Sequence, residues 1–351
     1  MKLGIIVFAF NEEESIASVL DRIPASIEGI DHTDVIVVDD GSTDRTRALA
    51  LAKGAHVVSH ARNRGLGAAF ATGIDAALRA GVDIIVSVDG DGQHPPEAIA
   101  VLIAPLLAGE ADFVTATRFS DPRFLPRMPL LNRLGNWLVA RIMGLACGRP
   151  FTDASCGFRA YSRDAALRIN LFGGHTYTQE SLLDLARKGV AMTEVPVAIR
   201  GVREHGNSRV AHSLLSYGLR AFTILVRAVR DRLPFPFFGA IGAVLALTGA
   251  AAEMTVLTHF LLTGQTSPYH SFTTLGAIFL VLGAVSLLVA LLADMLSRMR
   301  ETQETLLYLE KRRHYDELVE GHAGPNGERQ GTPHQTTANE ELSPVVSLRR
   351  G

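Results

Sequence analysis

Apolar and polar positions along the first 115 residues switch between two periods. Short apolar runs at Gly4–Phe8, Val35–Asp39, His56–Ser59, Ile84–Val88 and Phe113–Ala116 read as strands. Between them the spacing is helical, near Glu13–Arg22, Asp44–Lys53, Gly67–Ala80 and Pro96–Leu107. This rhythm predicts an α/β fold with a doubly wound, mostly parallel sheet. Asn11, with Glu14 three residues on, has the spacing of a capping box at the first helix. No internal repeat is evident.

The pattern changes after residue 232. No charge interrupts Leu233–Ala252, and the apolar run resumes after Glu253 to about Leu262. A second uncharged run covers Phe272–Ala293. Each is long enough to cross a hydrocarbon core of about 30 Å. The connection Thr263–Ser271 lacks Lys and Arg, whereas Arg227, Arg230 and Arg232 precede the pair and Arg298, Arg300, Lys311, Arg312 and Arg313 follow it. That asymmetry predicts a two-span integral membrane protein with the domain before the spans and both termini cytoplasmic. Glu253 is costly at membrane depth; a subunit contact or a tilted helix end would hold it, and the hairpin is also a candidate surface for a homo-oligomer. Residues 124–147 and 212–231 read as amphipathic helices carrying Arg127, Arg133 and Arg141, and Arg220, Arg227 and Arg230. Such helices beside a span suit the lipid interface. The expected organisation is a domain over 1–211, an interfacial helix over 212–232, a hairpin over 233–296 (spans near 235–262 and 272–293), a charged cytoplasmic helix over 297–320 and a disordered tail over 321–351.

Charge and cysteine content narrow the class. Thirty-four Lys and Arg against 36 Asp and Glu give a formal net charge of −2, so nucleic acid is not an expected partner. Cys147 and Cys156 form neither a metal spacing nor a disulfide framework and fit a reducing compartment. No basic segment followed by an apolar one opens the chain, so no signal peptide is expected. The mean hydropathy of +0.19 reflects the two uncharged runs.

Three polar clusters fall just after strands: Asn11-Glu12-Glu13, Asp39 to Asp44, and Asp89-Gly90-Asp91-Gly92-Gln93-His94-Pro95-Pro96. Ligands of doubly wound sheets bind beyond the carboxyl ends of strands. Asp89 and Asp91, two apart on extended backbone, can point the same way, and Gln93 continues the series. Three hard oxygen ligands suit Mg²⁺ or Mn²⁺, which would hold a diphosphate. Asp-x-Asp alone also describes an ordinary turn after a core strand; three clusters on one sheet edge make a site.

The segments Val38-Asp39-Asp40-Gly41-Ser42-Thr43-Asp44, Asn63-Arg64-Gly65-Leu66-Gly67-Ala68 and Asp89–Pro96 together resemble the inverting family-2 glycosyltransferases of GT-A fold. The likeness is nearest to the dolichol-phosphate mannose synthase and polyprenyl-phosphate glycosyltransferase branch. Asp153-Ala-Ser155-Cys156-Gly157-Phe158-Arg159 resembles that branch's Asp-x-x-Ser-Gly-Phe-Arg motif. Glu194-Val195-Pro196, Arg200 and Gly206-Asn-Ser208-Arg209 resemble its closing motifs. The likeness covers roughly residues 1–215. Phe8, Phe10, Cys156 and Arg209 stand where the family usually has proline, tyrosine, glycine and lysine.

The resemblance implies a nucleotide-sugar donor, with GDP-mannose favoured, and a polyprenyl or dolichyl phosphate acceptor at a lipid membrane. It implies that Phe10, Asn11, Glu12, Asp40, Gly67 and Asp89 face the nucleotide, with Asp39 supporting its loop or capping the turn at Gly41. Asp153 and Ser155 would form the acceptor-side loop. The chemistry stands on its own terms. A divalent ion on Asp91 and Gln93, with Asp89 nearby, would stabilise the departing diphosphate. A lipid phosphate with a second pKa of about 6 is largely ionised at neutral pH and needs no general base. It needs cations, and Arg118 leads, followed by Arg133, Arg200, Arg203 and Arg209, with Ser208 beside them. Glu180 reads as a sugar ligand, a base or a first-turn acid.

Other readings are a UDP-glucose-dependent enzyme of the same kind, transfer to a sugar hydroxyl with Glu180 or Asp153 as base, and a non-catalytic membrane scaffold. A processive synthase is disfavoured because the chain lacks Gln-x-x-Arg-Trp; its one tryptophan is Trp137. A dinucleotide oxidoreductase is disfavoured because Gly65-Leu-Gly67-Ala-Ala-Phe70 is not Gly-x-Gly-x-x-Gly.

Overall fold

A computed structural model describes residues 1–125, 130–170, 177–200, 230 and 234–322. The chain divides into two units. The first comprises Met1–Arg141, Pro150–His212 and Glu310–Gly351, and the second Ile142–Arg149 and Ser213–Leu309.

The first unit is built on a seven-stranded sheet. Its strands are β1 (Lys2–Ala9), β2 (His32–Asp39), β3 (His56–Ser59), β4 (Ile84–Asp89), β5 (Phe113–Thr117), β6 (Arg159–Ser162) and β7 (Met192–Pro196), in the spatial order β3-β2-β1-β4-β6-β5-β7. All neighbours are parallel except β6, which is antiparallel to both β4 and β5. The helices are α1 (Ile16–Asp21), α2 (Thr46–Ala52), α3 (Leu66–Arg79), α4 (Ile99–Leu107), α5 (Leu130–Cys147, in this unit as far as Arg141), α6 (Arg163–Arg168) and α7 (Tyr177–Arg187). The doubly wound, mostly parallel sheet read from the sequence is present, with β6 and β7 added to the five expected strands.

Strand alternation sorts the core into two layers. Leu3, Ile5, Val7, Ile84, Val86 and Val88 join one cluster with Ile16, Val19, Ala50 and Leu102 from α1, α2 and α4. On the other face Phe8 meets Phe70 of α3 and Tyr177 of α7, with ring centroids 6.1 and 6.0 Å apart. Phe70 and Tyr177 stack at 4.5 Å. Phe70 is fully buried, so truncating it to alanine would cost about 3–5 kcal/mol.

Two expectations are corrected. The capping box does not form: α1 starts at Ile16, and its cap residue Ser15 makes no side-chain capping bond. Asn11 adopts a left-handed conformation, φ +54°, and its Oδ1 accepts from the backbone N of Thr43. A side chain that bridges two loops is not available to cap its own helix. The helix expected over 124–147 begins at Leu130, after a single 3₁₀ turn at Pro122–Phe124. Arg127 lies outside the described residues.

The second unit holds α8 (Pro234–Thr263) and most of α9 (His270–His322). Both are long and apolar enough to cross a membrane. They meet through glycines: a Cβ on Gly249 would stand 2.7 Å from the carbonyl oxygen of Gly276, and one on Gly242 would stand 3.0 Å from that of Gly283. Glu253 lies in the space left by the missing side chain of Gly276, where a Cβ would come within 2.7 Å of its Oε1. The charged helix expected over 297–320 is the unbroken continuation of α9, and it reaches two residues into the tail expected to be disordered. Within the first unit, the end of α9 packs on α3 and α6. Lys311 Nζ donates to Ile169 O and Asn170 Oδ1, Tyr315 Oη donates to Asp75 Oδ1, and Arg163 pairs with Asp316 at 3.0 Å. The helix expected over 212–232 lies outside the described residues apart from Arg230, as does the tail from residue 323.

Candidate functional site

The register of the sheet assembles the site. Phe8 of β1 sits opposite Val38 on one side and Asp89 on the other, and Ala9 sits opposite Asp39. The chain leaves β1 towards β2 and returns on the opposite side to β4, so the end of β1 is a topological switch point. Asp39 and Asp89 flank it.

On the β2 side, two aspartates hold loops. Asp39 is buried; its Oδ1 accepts from Ser42 N and its Oδ2 from Ser59 Oγ. It therefore closes the turn at Gly41, whose φ is +76° and where a Cβ would fall 2.5 Å from the carbonyl carbon of Arg62. Asp40 is also buried. It accepts from Arg64 N at 2.9 Å, Gly65 N at 2.8 Å and His60 Nδ1 at 2.6 Å, while His60 Nε2 accepts from Thr72 Oγ1. Asp40, expected to face the nucleoside, anchors the loop before α3, where the positive helix end favours an anion. Gly67 is buried in the first turn of α3. Glu12 donates its backbone N–H to Thr46 Oγ1, and its carboxylate accepts from Ser15 Oγ. Phe10 and Glu12 are half-buried and Asn11 is exposed.

On the β4 side the chain turns sharply. Gly90 N donates to Phe8 O at 2.8 Å, and Ser15 Oγ donates to Gly90 O. A Cβ on Gly90 would stand 2.8 Å from Phe8 O, so only glycine fits. Asp91 is buried and its Oδ1 accepts from Gln93 N at 3.0 Å. Asp89 keeps 31% of its side chain exposed. His94, which sequence reasoning passed over, is buried against Phe158, with ring centroids 5.5 Å apart. Burial pushes its pKa down to about 4, partly offset by the Asp91 carboxylate. The neutral ring accepts from Asp89 N through Nδ1, and its Nε2 lies 3.6 Å from Asp89 Oδ2. Two carboxylates and an amide within five residues are a hard-oxygen donor set that fits Mg²⁺ or Mn²⁺. No group of three His, Cys, Asp or Glu side chains gathers around one point among the described residues.

On the β5 side, Arg118 follows the strand. Its Nε donates to Asp153 Oδ2 at 2.5 Å, and its Nη2 donates to Asp153 Oδ1 and Ser155 Oγ, both at 2.9 Å. Asp153 is wholly buried. Asp153 and Ser155, expected to form the acceptor-side loop, both bond Arg118, and the buried Asp153 carboxylate is gripped by its guanidinium fork. Ser155 Oγ lies 3.0 Å from Asn136 Oδ1 of α5. One turn earlier Arg133 is exposed. Arg200 N donates to Gln93 O, which brings the segment after β7 against the acidic turn. Ser208, Arg209 and Arg203 lie outside the described residues. Glu180 is half-buried in the first turn of α7.

Arg159 closes the Asp153–Arg159 motif. It is fully buried and donates to Cys156 O, Thr178 O, Ser181 Oγ and Ala154 O, which fixes the 154–157 turn to α7. Burial raises the Cys156 thiol to about 12, so cysteine in place of glycine adds no reactive group. Tyr177 is likewise buried, its pKa pushed well above the usual value.

Residues 4–169 match the family model described as Glycosyl transferase family 2. The UDP-N-acetylglucosamine–dolichyl-phosphate N-acetylglucosaminyltransferase of Methanococcus voltae is 30% identical over 213 residues, covering 55% of this chain and 83% of that protein. The chain belongs to glycosyltransferase family 2. Two further relatives of this glycosyltransferase are similar over more of its length. The undecaprenyl-phosphate mannosyltransferase of Micrococcus luteus is 29% identical over 61% of this chain and 90% of its own. The dodecaprenyl-phosphate galacturonate synthase of Rhizobium johnstonii is 27% identical over 85% of this chain and 88% of its own.

Proposed function

We propose that this glycosyltransferase moves a hexosyl group, with inversion, from a nucleotide sugar to a polyprenyl phosphate at a membrane surface. The observation that carries this reading is the meeting, along one sheet edge, of an acidic turn after β4 and an arginine after β5. The first suits a diphosphate held through a cation, and the second suits a phosphate. Relatives named for polyprenyl-phosphate substrates support the acceptor class. GDP-mannose is the favoured donor, supported by the mannosyltransferase among those relatives.

On this reading Asp91 and Gln93, with Asp89 beside them, hold Mg²⁺ or Mn²⁺, which neutralises charge developing on the leaving diphosphate. Asn11 and Glu12 line the nucleotide side with Phe10, while Asp40 acts through the loop it anchors. Arg118 orients the acceptor phosphate, whose oxygen is already a nucleophile. Arg133, Arg200, Ser208 and Arg209 supply further contacts to that phosphate. His94 keeps Asp89 in place and stays neutral at working pH. α5 exposes Leu134, Trp137 and Leu138 beside Arg133 and Arg141, a surface suited to anionic lipid. The two long helices span the bilayer, with the catalytic unit on the cytoplasmic side.

The test is calorimetric titration of the purified protein with GDP and UDP in the presence of Mn²⁺, followed by sugar transfer to undecaprenyl phosphate. GDP-selective binding supports the mannose donor; UDP-selective binding replaces it. Asp91→Ala is expected to abolish transfer while the protein stays folded, and normal turnover would sink the metal assignment.

A further inference from the structure

Glu194 stands in β7 opposite Thr115 of β5, two residues short of the strand end from which Arg118 follows. Its carboxylate accepts from Thr152 N at 2.9 and 3.1 Å, from Thr152 Oγ1 at 3.0 Å and from Asp153 N at 3.0 Å. It thus fixes the backbone of two consecutive residues. The second is Asp153, whose own carboxylate is wholly buried and grips Arg118 through two bonds. A rigid guanidinium fork held by both oxygens has little freedom, so its position follows that of Asp153. Burial also raises the pKa of Glu194, against the opposing effect of the bonds from Asp153 and Thr152. A chain that needed only to close this turn could use a neutral acceptor and avoid that cost.

We propose that Glu194 is a positioning residue for the acceptor: acting through Asp153, it aims the Arg118 guanidinium at the lipid phosphate. The inference rests on the reading of Arg118 as the acceptor-phosphate cation.

The experiment measures binding of citronellyl phosphate, of citronellol and of Mn²⁺ with GDP or UDP to the full chain in lipid discs. Glu194→Ala is expected to weaken citronellyl phosphate binding about tenfold, the size of one lost bond to a charged group. Citronellol and nucleotide binding should stay within about twofold of the parent, since both bypass Arg118. Glu194→Gln keeps an oxygen for Asp153 N and should restore binding to within about threefold of the parent. Arg118→Ala should weaken citronellyl phosphate binding at least as much as Glu194→Ala, and the double variant should be no weaker than Arg118→Ala alone. If Glu194→Ala does not fold, Glu194→Gln carries the cycle: a weakening of about two- to threefold that vanishes in the Arg118→Ala background. Additive effects, an unchanged Glu194 variant, or equal loss for citronellol and nucleotide overturn the positioning role alone. An Arg118→Ala protein that binds citronellyl phosphate normally overturns the acceptor reading, and the inference with it.

Discussion

Replacing Asp40 by asparagine separates two roles for that residue. Three donors converge on its carboxylate: Arg64 N, Gly65 N and His60 Nδ1, at 2.9, 2.8 and 2.6 Å. The amide oxygen of asparagine can keep the Arg64 and His60 bonds at the Oδ1 position. Its NH₂ then faces Gly65 N–H, two donors with no acceptor between them. A lost bond to a charged group is worth about 1.5–3 kcal/mol. Gly65 caps α3, where an anion contributes a further ~0.3–1 kcal/mol. The sum, roughly 2–4 kcal/mol, should appear as local opening of the loop and the first turn of α3. Amide hydrogen exchange over residues 62–68 reads that opening directly, and the expected acceleration is roughly 30- to 1000-fold. Nucleotide affinity should fall as the loop loosens. If exchange over 62–68 is unchanged while nucleotide affinity falls, Asp40 touches the ligand itself, and its description as a loop anchor is wrong.

The docked end of α9 should tighten as pH rises. Burial lowers Lys311 from 10.5 to about 8, with the nearby Lys188 charge adding to the effect, so between about 8 and 10.5 the undocked form holds a proton that the docked form lacks. Protection of residues 310–322 from exchange, corrected for intrinsic rates, should be greater at pH 9.5 than at pH 7.5; equal or lower protection would contradict the burial of this lysine. Alkylation at pH 8 followed by mass spectrometry should label the half-buried Cys147 before Cys156, whose thiol sits near 12; equal labelling would refute it. Gly157→Ala should lower turnover by at least tenfold or so with nucleotide affinity retained, because its Cβ would stand 2.9 Å from Tyr177 Oη and 3.4 Å from Asp89 Oδ2. Wild-type transfer rates would show that the close packing of Tyr177 and Asp89 on Gly157 does not matter to turnover.

Legibility in the sequence follows the range of the interactions. The strands nearest β1 announce themselves because central parallel strands are apolar on both faces. β6 does not, since Arg159-Ala-Tyr-Ser162 begins with a buried arginine. Its acceptors are spread from Ala154 to Ser181 and meet only in the fold. The three polar clusters were readable as one sheet edge, but the partners of each side chain were not. The loop bonds of Asp40 were not readable because His60, Arg64 and Gly65 lie 20 to 25 residues away. Asn11 looked like a helix cap because its stronger partner, Thr43 N, is on another loop. Glu253 looked misplaced because the helical pattern of α8 says nothing of Gly276, whose missing side chain makes room for it.

The sheet order gives the proposed reaction a length scale. Asp89 ends β4 and Arg118 follows β5, with only β6 between them. Two inter-strand spacings separate these ends by about 10 Å. β6 runs antiparallel, so the residues facing this gap come from its start. Arg159 pairs with both Ser87 and Thr115, which places Gly157 level with Asp89 on one side and Thr117 on the other. On the proposed reading, a diphosphate over the first edge and a lipid phosphate over the second would stand about one hexose ring apart. A Cβ on Gly157 would press on Tyr177 Oη at 2.9 Å and reach Asp89 Oδ2 at 3.4 Å. On the proposed reading, Asp153 turns no unpaired oxygen towards the incoming phosphate, because both of its oxygens accept from Arg118 and leave the far side of the guanidinium to meet it.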